Sequence, residues 1–291
     1  MRLAFWNSTL PSGGDPASVA KRQTIQQFIF WLQPDLIFFT EMSYALNTTE
    51  GISNLISDCM RVRPPGPGVH ERTNRYTCIA REPNRGVHLM MAIFAKPNLY
   101  NLPAGLIAVR GWADGQCRPL LHVEVPGERT SKKILLLHAR ASPAGGLDAT
   151  NAMLTYLATH PSDLAGGDFN YDSYNDPGGA LAGGNLAMHG YAEFFAPHVG
   201  VPCPLPVPMG GTPYTQFRRD AHGSQTLPGT YIAFNPGRRI DFLLTGSAHN
   251  GRVAAVDPMP ARPPGQVSPW ERAVFTHFDH LPVVYDWNPP R

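Results

Sequence analysis

Short apolar runs and one amphipathic segment open the chain. The run 3–6 (LAFW) predicts a buried strand, and apolar residues at helical spacing between Val19 and Leu32 predict a helix that ends before Pro34. A second apolar run, 36–39 (LIFF), predicts another buried strand. A strand, a helix and a strand in this order predict a βαβ unit whose two strands are parallel.

The rest of the chain continues as strand-like runs and helical stretches, separated by loops rich in Gly and Pro. There are 28 Gly and 30 Pro among 291 residues, and they recur along the whole length instead of marking one linker. We therefore expect an α/β protein with one domain over residues 1–291. The further predicted helices are 48–59 and 149–157, and the further predicted strands are 88–94, 106–109, 120–125, 134–137, 231–234, 240–244 and 283–285.

Several of these buried runs stop at a polar residue that can bind a metal or transfer a proton. Strand ends in stacked sheets share one rim, so these residues are expected to converge in the folded chain. A single Asp or Asn is more often a turn or capping residue, but that reading does not explain so many coincidences at strand ends. The residues concerned are Asn7, Glu41, His138, Asp168 with Asn170, Asp241, and Asp279 with His280.

The carboxylates among them predict a cation site. Glu41 closes an apolar run, and a carboxylate in such a place needs a charged or hydrogen-bonding partner. Mg²⁺ is the natural partner for a site built from oxygen atoms, with Mn²⁺ and Ca²⁺ as alternatives. The predicted metal ligands are Asn7, Glu41, Asp168, Asn170 and Asp279.

The spacing of Asp168 and Asn170 adds a second argument. In an extended segment, residues two apart face the same side, and Phe169 between them would pack behind. This spacing suits two oxygen ligands, or one ligand and one residue that orients an attacking water.

Two of the 11 histidines are candidates for proton transfer. His280 follows a carboxylate, and Asp241 could hold its ring, so that His280 acts as a base toward water or stabilises a pentacovalent phosphorane. His138 could donate to a non-bridging phosphate oxygen. The other nine are interpreted as structural or surface residues, with His277 as the least certain of them because it lies close to Asp279.

Four motifs carry a resemblance to a known family. Glu41 after an apolar strand, 167–170 (GDFN), 240–242 (IDF) and 279–283 (DHLPV) resemble the ordered signature motifs of the endonuclease/exonuclease/phosphatase superfamily. Together with Asn7, they extend from residue 7 to residue 283. The resemblance implies a metal-dependent hydrolase that acts on phosphodiester bonds.

A middle stretch narrows the resemblance. Residues 118–120 (RPL), 138–142 (HARAS) and 145–149 (GGLDA) resemble the nuclease subunit of cytolethal distending toxin, which is itself similar to pancreatic-type deoxyribonuclease. This resemblance implies a four-layer α/β/β/α sandwich of two mixed β-sheets flanked by helices, and Mg²⁺-dependent endonucleolytic cleavage of DNA. The catalytic residues that it implies are His138, Asp168, Asn170, Asp241 and His280, and those that contact the substrate phosphate are Arg118, Asn170 and His138.

Three positions depart from the family pattern. Thr40 stands where a Gln commonly precedes the glutamate, and Phe278 stands where a Ser commonly precedes the Asp-His pair. The glycine often found shortly after the first Asn is missing after Asn7. The ligand types are unchanged, so these departures concern substrate contacts.

Overall charge leaves other functions open. A net charge of +2 and a pI near 8.4 make a weak electrostatic footprint for a protein that grips a polyanion. A phosphoinositide phosphatase or a sphingomyelinase-type phosphoesterase is therefore an alternative to a nuclease. A catalytically inactive scaffold of the same fold is a third reading, disfavoured because every motif position retains a chemically competent residue.

The sequence also bears on location and partners. No apolar run is long enough to span a bilayer, and no signal peptide is visible, so we expect a cytoplasmic protein, or a secreted one if Met1 replaces a removed signal peptide. DNA is the expected partner, and protein partners are expected only in a toxin-like assembly. Four widely spaced cysteines without a Cys-x-x-Cys motif leave the redox state open.

Overall fold

Two mixed β-sheets and two helices make up the described part of this computed structural model. The structure describes residues 1–10, 14–43, 76–81, 89–96, 107–109, 120–125, 132–139, 143–170, 191–194, 241–246, 253–256, 273, 277–278, 280 and 282–288. The elements are β1 (Arg2–Leu10), α1 (Pro16–Leu32), β2 (Leu36–Ser43), β3 (Thr77–Arg81), β4 (Leu89–Ala95), β5 (Ile107–Val109), β6 (Leu120–Val125), β7 (Lys132–His138), α2 (Pro143–Thr159), β8 (Leu164–Asp168), β9 (Tyr191–Phe194), β10 (Asp241–Gly246), β11 (Val253–Val256) and β12 (Val283–Trp287).

Each sheet has six described strands. The first has the order β11-β12-β1-β2-β4-β3, and the second has the order β5-β6-β7-β8-β10-β9. The pairs β1–β2 and β7–β8 are parallel, whereas the remaining pairs are antiparallel. The predicted βαβ unit is therefore present at the start of the chain, with α1 connecting its two parallel strands.

The alternation of side chains along the strands separates two cores. Leu3, Phe5 and Leu136 belong to a cluster between the sheets, whereas Leu135 and Leu137 pack against α2 on the outer face of the second sheet. On the outer face of the first sheet, the ring centroid of Trp6 lies 4.9 Å from that of Phe28 in α1. The layers are therefore helix, sheet, sheet and helix, which confirms the predicted four-layer α/β/β/α sandwich.

The inner face brings the sheets close together beneath the site. Phe5 of β1 stacks on Phe38 of β2 with ring centroids 4.8 Å apart. A Cβ atom placed on Gly166 of β8 would lie 2.9 Å from the Phe5 ring, so a glycine is needed at this contact. One step further along the same face, Asn7 and Asp168 meet across the sheets.

The first helix begins at a capped N-terminus. The side chain of Asp15 accepts a hydrogen bond from the backbone N–H of Ser18, and Pro16 opens the helix, an arrangement typical of an N-terminus. The helix ends at Leu32, as predicted, with Gln33 in the left-handed conformation at φ 46°. Neither described helix is long and apolar enough to cross a membrane.

The other element predictions have mixed outcomes. Strands lie at or near the positions predicted for the runs 88–94, 106–109, 120–125, 134–137, 240–244 and 283–285. The helix predicted at 149–157 begins earlier, at Pro143. The predicted helix 48–59 and strand 231–234 lie outside the described residues.

Candidate active site

Seven of the predicted polar residues meet at one rim of the sandwich, namely Asn7, Glu41, His138, Asp168, Asn170, Asp241 and His280. Asn7 lies in β1 and Glu41 in the adjacent parallel β2, whereas His138 and Asp168 end the parallel strands β7 and β8. Asp241 begins β10, which is antiparallel to β8, and its Cα pairs with that of Asp168. The expected convergence of these residues is therefore confirmed, although Asn7 and Glu41 lie within their strands and do not end them.

A β-bulge directs Glu41 into this site. Between Phe39 and Met42 the register shifts, so β2 has one more residue than its partner β4. Glu41 itself has φ 58°, a left-handed conformation that is unusual for a residue with a side chain. Strict alternation would place Glu41 on the same outer face as Phe39, whereas the bulge turns its carboxylate toward His138 of the second sheet.

Asp168 lies at the centre of the cluster and is buried. Its Oδ2 accepts a hydrogen bond from Asn7 Nδ2 at 2.9 Å, and its Oδ1 accepts one from the backbone N–H of Asn170 at 2.8 Å. The same Oδ2 lies 3.7 Å from His138 Nε2 and 3.9 Å from His280 Nε2. One carboxylate therefore contacts an amide of the other sheet and faces both candidate histidines.

Asn170 reaches Asp168 in a different way from the one predicted. Its φ is 47°, so the backbone turns here and the predicted extended segment from Asp168 to Asn170 is wrong. Asn tolerates this conformation better than most residues. Its Nδ2 donates to the carbonyl oxygen of Ala139 at 3.0 Å and to Asp168 Oδ2 at 3.2 Å, while Phe169 packs in the outer core. The turn therefore keeps both polar side chains together.

Asp241 and His280 form a buried pair. Asp241 Oδ2 lies 2.8 Å from His280 Nδ1, and an ionised carboxylate requires that this nitrogen carry the proton. The other ring nitrogen, Nε2, then accepts, and it lies 3.3 Å from Asn7 Nδ2. His280 is thus held in the tautomer whose Nε2 faces the centre of the site.

His138 and Glu41 form a second pair on the other side of Asp168. His138 Nε2 lies 3.4 Å from Glu41 Oε1, so two carboxylates face one imidazole nitrogen, an arrangement that requires a proton on that nitrogen. Burial alone would raise the pKa of Glu41, but its hydrogen bond to His138 and the charge of His138, helped by Asn7 and His280, lower the pKa to about 2. Glu41 is therefore ionised at neutral pH.

The central carboxylate has the opposite tendency. Burial, followed by the nearby charge of Asp241, raises the pKa of Asp168, although His280, His138 and Asn7 oppose the shift. A cation beside Asp168 would stabilise its ionised form. Asp168, Asp241 and His280 offer three ligand atoms within 4.8 Å of one another.

Two predicted site residues, Asp279 and Arg118, lie outside the described residues. Their predicted roles, as a metal ligand and a phosphate contact, remain predictions. His280, next to Asp279 in the chain, does lie at the site.

The structure gives roles to two residues for which the sequence analysis predicted none, Gly167 of the motif 167–170 and Trp6. Gly167 has φ 136°, and a Cβ atom there would lie 2.0 Å from the carbonyl oxygen of Leu137, so only glycine allows β8 to approach β7 just before Asp168. Trp6 donates from Nε1 to the carbonyl oxygen of His280 at 3.1 Å. In the sequence, Trp6 is indistinguishable from an ordinary core residue.

The chain is similar to solved structures, although no family model and no curated protein matches its sequence. Among solved structures, an AP endonuclease from Archaeoglobus fulgidus has a TM-score of 0.56 at 12% identity, covering 99% of this chain and 100% of that chain. Truncated TDP2 from Caenorhabditis elegans has a TM-score of 0.52 at 15% identity, covering 98% and 96%.

A third similar structure is that of a protein whose name states its family. An endonuclease/exonuclease/phosphatase family protein from Bacteroides thetaiotaomicron has a TM-score of 0.55 at 13% identity and covers 98% of this chain and 96% of that chain. Each match covers nearly the whole length of both compared chains. The low sequence identities mean that these matches establish the fold alone. The chain has the α/β sandwich fold of the endonuclease/exonuclease/phosphatase superfamily.

Proposed function

We propose that this protein is a divalent-metal-dependent phosphodiesterase that cleaves DNA endonucleolytically. The observation that carries the proposal is the pairing of each histidine with its own carboxylate on either side of Asp168. His280 with Asp241 presents an accepting Nε2, whereas His138 with Glu41 presents a donating Nε2. A base and a donor facing a shared centre are what hydrolysis of a phosphodiester requires.

Oxygen atoms of the first sheet and of Asp168 would hold the metal. Glu41 is ionised at neutral pH, and Asn7 Oδ1 is buried without a hydrogen-bond partner among the described residues. These atoms and Asp168 suit Mg²⁺, with Asp279 as a further proposed ligand and Mn²⁺ or Ca²⁺ as alternatives. The bound ion would supply charge stabilisation at the phosphate oxygens.

We assign the cation to this oxygen set because Asp241 and His280 already satisfy each other. The hydrogen bond of 2.8 Å between Asp241 Oδ2 and His280 Nδ1 leaves His280 Nε2 available to accept a proton. A metal bound to Nε2 would occupy that atom, and the site would lose its base. Asp241 and His280 therefore act as a proton-transfer pair.

His280 removes a proton from the attacking water. Its Nδ1–H is held by Asp241, so Nε2 is the atom that accepts the proton, and the carboxylate then stabilises the imidazolium that forms. Asn7 donates toward the same Nε2 at 3.3 Å and keeps the ring directed toward Asp168. Water would replace the Asn7 contact as the proton donor during the reaction.

His138 acts on the phosphate. Its Nε2–H faces Glu41 and Asp168 at 3.4 and 3.7 Å, and donation to a non-bridging oxygen would stabilise the charge that accumulates there. Asn170, which donates to Asp168 and to the Ala139 carbonyl, orients the central carboxylate and contacts the phosphate. Arg118 is proposed as a second phosphate contact.

DNA is proposed as the substrate on two grounds. The motifs around His138 resemble a deoxyribonuclease-like toxin subunit, and the similar structures include one named an AP endonuclease. The low net charge of +2 keeps a phosphoinositide or sphingomyelin headgroup as the competing substrate.

Side-by-side hydrolysis assays test the proposal. Supercoiled plasmid DNA, a soluble phosphoinositide headgroup and sphingomyelin vesicles are incubated with the protein in Mg²⁺ or in EDTA. We expect nicking in Mg²⁺ but not in EDTA, greatly slowed nicking by His280→Gln, and normal nicking by Asp148→Asn, which changes an exposed residue of α2. Hydrolysis of a headgroup without nicking would show that the headgroup, and not DNA, is the substrate. If none of the three substrates is hydrolysed, the inactive scaffold is favoured.

A further inference from the structure

An aromatic cluster lies directly behind His280, on the outer face of the first sheet. Trp6 is buried, and its ring centroid lies 4.6 Å from that of Phe278 and 4.9 Å from that of Phe28 in α1. The indole Nε1 of Trp6 donates to the carbonyl oxygen of His280 at 3.1 Å. The cluster therefore contacts the backbone of the residue proposed as the base.

Two consecutive residues of β1 hold His280 from opposite sides of the sheet. Asn7 points inward, where its Nδ2 lies 3.3 Å from His280 Nε2. Trp6 points outward, because side chains alternate along a strand, and its Nε1 binds the His280 carbonyl. The imidazole and the backbone of His280 thus both contact side chains of the same strand, β1.

Phe278 extends this contact to α1. It is buried, packs on Trp6, and lies beneath Lys21 of α1, whose Nζ is 5.2 Å from the ring centroid. Phe278 stands two residues before His280. Its fixed ring therefore restricts the backbone that leads into His280.

Such a contact matters because the His280 ring must satisfy two partners at once. Its Nδ1 lies 2.8 Å from Asp241 Oδ2, which belongs to the second sheet, whereas its backbone is bound to the first. A shift of the backbone along the strand direction would lengthen the bond to Asp241. Misplacement of a catalytic group by about 1 Å can lower a rate by about 100-fold.

We propose that Trp6 is a positioning residue for His280, acting through its indole N–H, with Phe278 as the support of the indole ring. The inference rests on the proposed function for its effect on turnover. Its geometric part, a shorter and better ordered bond between His280 and Asp241, does not depend on which substrate is hydrolysed.

The test replaces Trp6 with Phe, which keeps an aromatic ring and removes the donor. We expect kcat for plasmid nicking to fall by about tenfold or more with little change in KM, since orientation and not substrate binding is lost. Phe28→Leu is the matched control, because it loosens the same cluster and leaves the Nε1 bond intact. Trp31→Phe, at an exposed position of α1, reports any general effect of losing a tryptophan.

A second readout does not require turnover. The His280 Nδ1 proton bound to Asp241 should give a downfield proton resonance, identified by its disappearance in His280→Gln. In metal-free Trp6→Phe this resonance should broaden or move upfield, while Phe28→Leu and Trp31→Phe retain it.

The two readouts separate failure of the inference from failure of the proposed function. An unchanged resonance in Trp6→Phe, or equal losses of kcat in Trp6→Phe and Phe28→Leu, would overturn the positioning role even if the wild type cleaves DNA. A weakened resonance confined to Trp6→Phe would support it even if the wild type hydrolyses no phosphodiester.

Discussion

Asn7 Nδ2 donates a hydrogen bond of 2.9 Å to Asp168 Oδ2, although 161 residues separate the two in the chain. Asn7 belongs to the first sheet and Asp168 to the second, so this bond joins the sheets at the rim where the site lies. The site therefore exists only when the two sheets are packed.

Removing this bond should destabilise the protein. In Asn7→Ala the buried Asp168 carboxylate loses a donor, and we expect the free energy of unfolding to fall by about 1–3 kcal/mol. Urea denaturation in EDTA measures the loss without a contribution from metal. Ser8→Ala, which removes a longer bond of 3.3 Å to the Thr40 carbonyl, serves as the neighbouring control and should lose less. Equal losses of unfolding free energy in Asn7→Ala and Ser8→Ala would show that the bond between the sheets stabilises the protein no more than the bond of Ser8 does.

A metal titration distinguishes two ways of holding the cation. If Glu41 and Asp168 are ligands, Mg²⁺ should raise the melting temperature of the wild type and of Asp241→Asn, but not that of Glu41→Gln. Differential scanning fluorimetry over a range of Mg²⁺ concentrations gives the shift. The reverse result, a shift kept in Glu41→Gln and lost in Asp241→Asn, would place the ion among Asp168, Asp241 and His280, whose ligand atoms lie within 4.8 Å of one another.

The glycine before Asp168 should tolerate no side chain. Its φ of 136° and the distance of 2.0 Å from a built Cβ to the Leu137 carbonyl oxygen predict that Gly167→Ala loses at least about 3 kcal/mol of stability. Gly14→Ala is the control, because a Cβ there meets nothing within 4 Å. Thermal and urea unfolding of both variants measure the difference, and a stable Gly167→Ala would mean that β7 and β8 can move apart at little cost.

Much of the site could be predicted because its chemistry is local in sequence. Carboxylates and imidazoles at the ends of apolar runs are costly without partners, and the rule that strand ends share a rim then brings Asp168, His138 and Asp241 together. The apolar periodicity predicted an α/β protein with a βαβ unit, whereas the four layers were implied by the resemblance to the toxin nuclease subunit. Neither argument needed a long-range contact to be known in advance.

The orientation of Glu41 could not be predicted in this way. Period-two alternation assigns Glu41 to the outer face with Phe39, and only the bulge in β2 reverses that assignment. A bulge depends on the register of both neighbouring strands, which a single strand does not encode. The turn at Asn170 escaped prediction for a similar reason, since it is stabilised by bonds to Asp168 and to Ala139, which directly follows β7.

The pairing of β1 with β12 predicts a dependence of stability on pH. A hydrogen bond from Arg2 lowers the pKa of Asp286, and the charge of Arg2 adds to this. A lowered carboxyl pKa stabilises the fold above the unfolded value of 3.8, and the gain disappears as pH falls through the folded pKa. Both side chains are about one-third exposed, at 33% and 38%, so screening limits the gain to about 1 kcal/mol or less.

Asp286→Asn should therefore be less stable than the wild type at pH 7, and the difference should shrink below pH 3.8. Urea unfolding at several pH values in EDTA measures it, with Asp148→Asn as an exposed carboxylate outside this pair. A difference that stays constant across the range would point to packing of the side chain and not to its charge.

The pairing of Asp241 with His280 makes the most specific prediction for catalysis. Asp241→Asn keeps the shape of the side chain, but its amide can donate to His280 Nδ1, and the proton then moves to Nε2, where a base is needed. We expect kcat for plasmid nicking to fall by about 100-fold to 10,000-fold with KM little changed. Residues that act as a unit are not additive, so the double variant Asp241→Asn with His280→Gln should be no slower than His280→Gln alone. Steady-state kinetics of the three variants decide the matter, because losses that multiply in the double variant would show that Asp241 and His280 act separately.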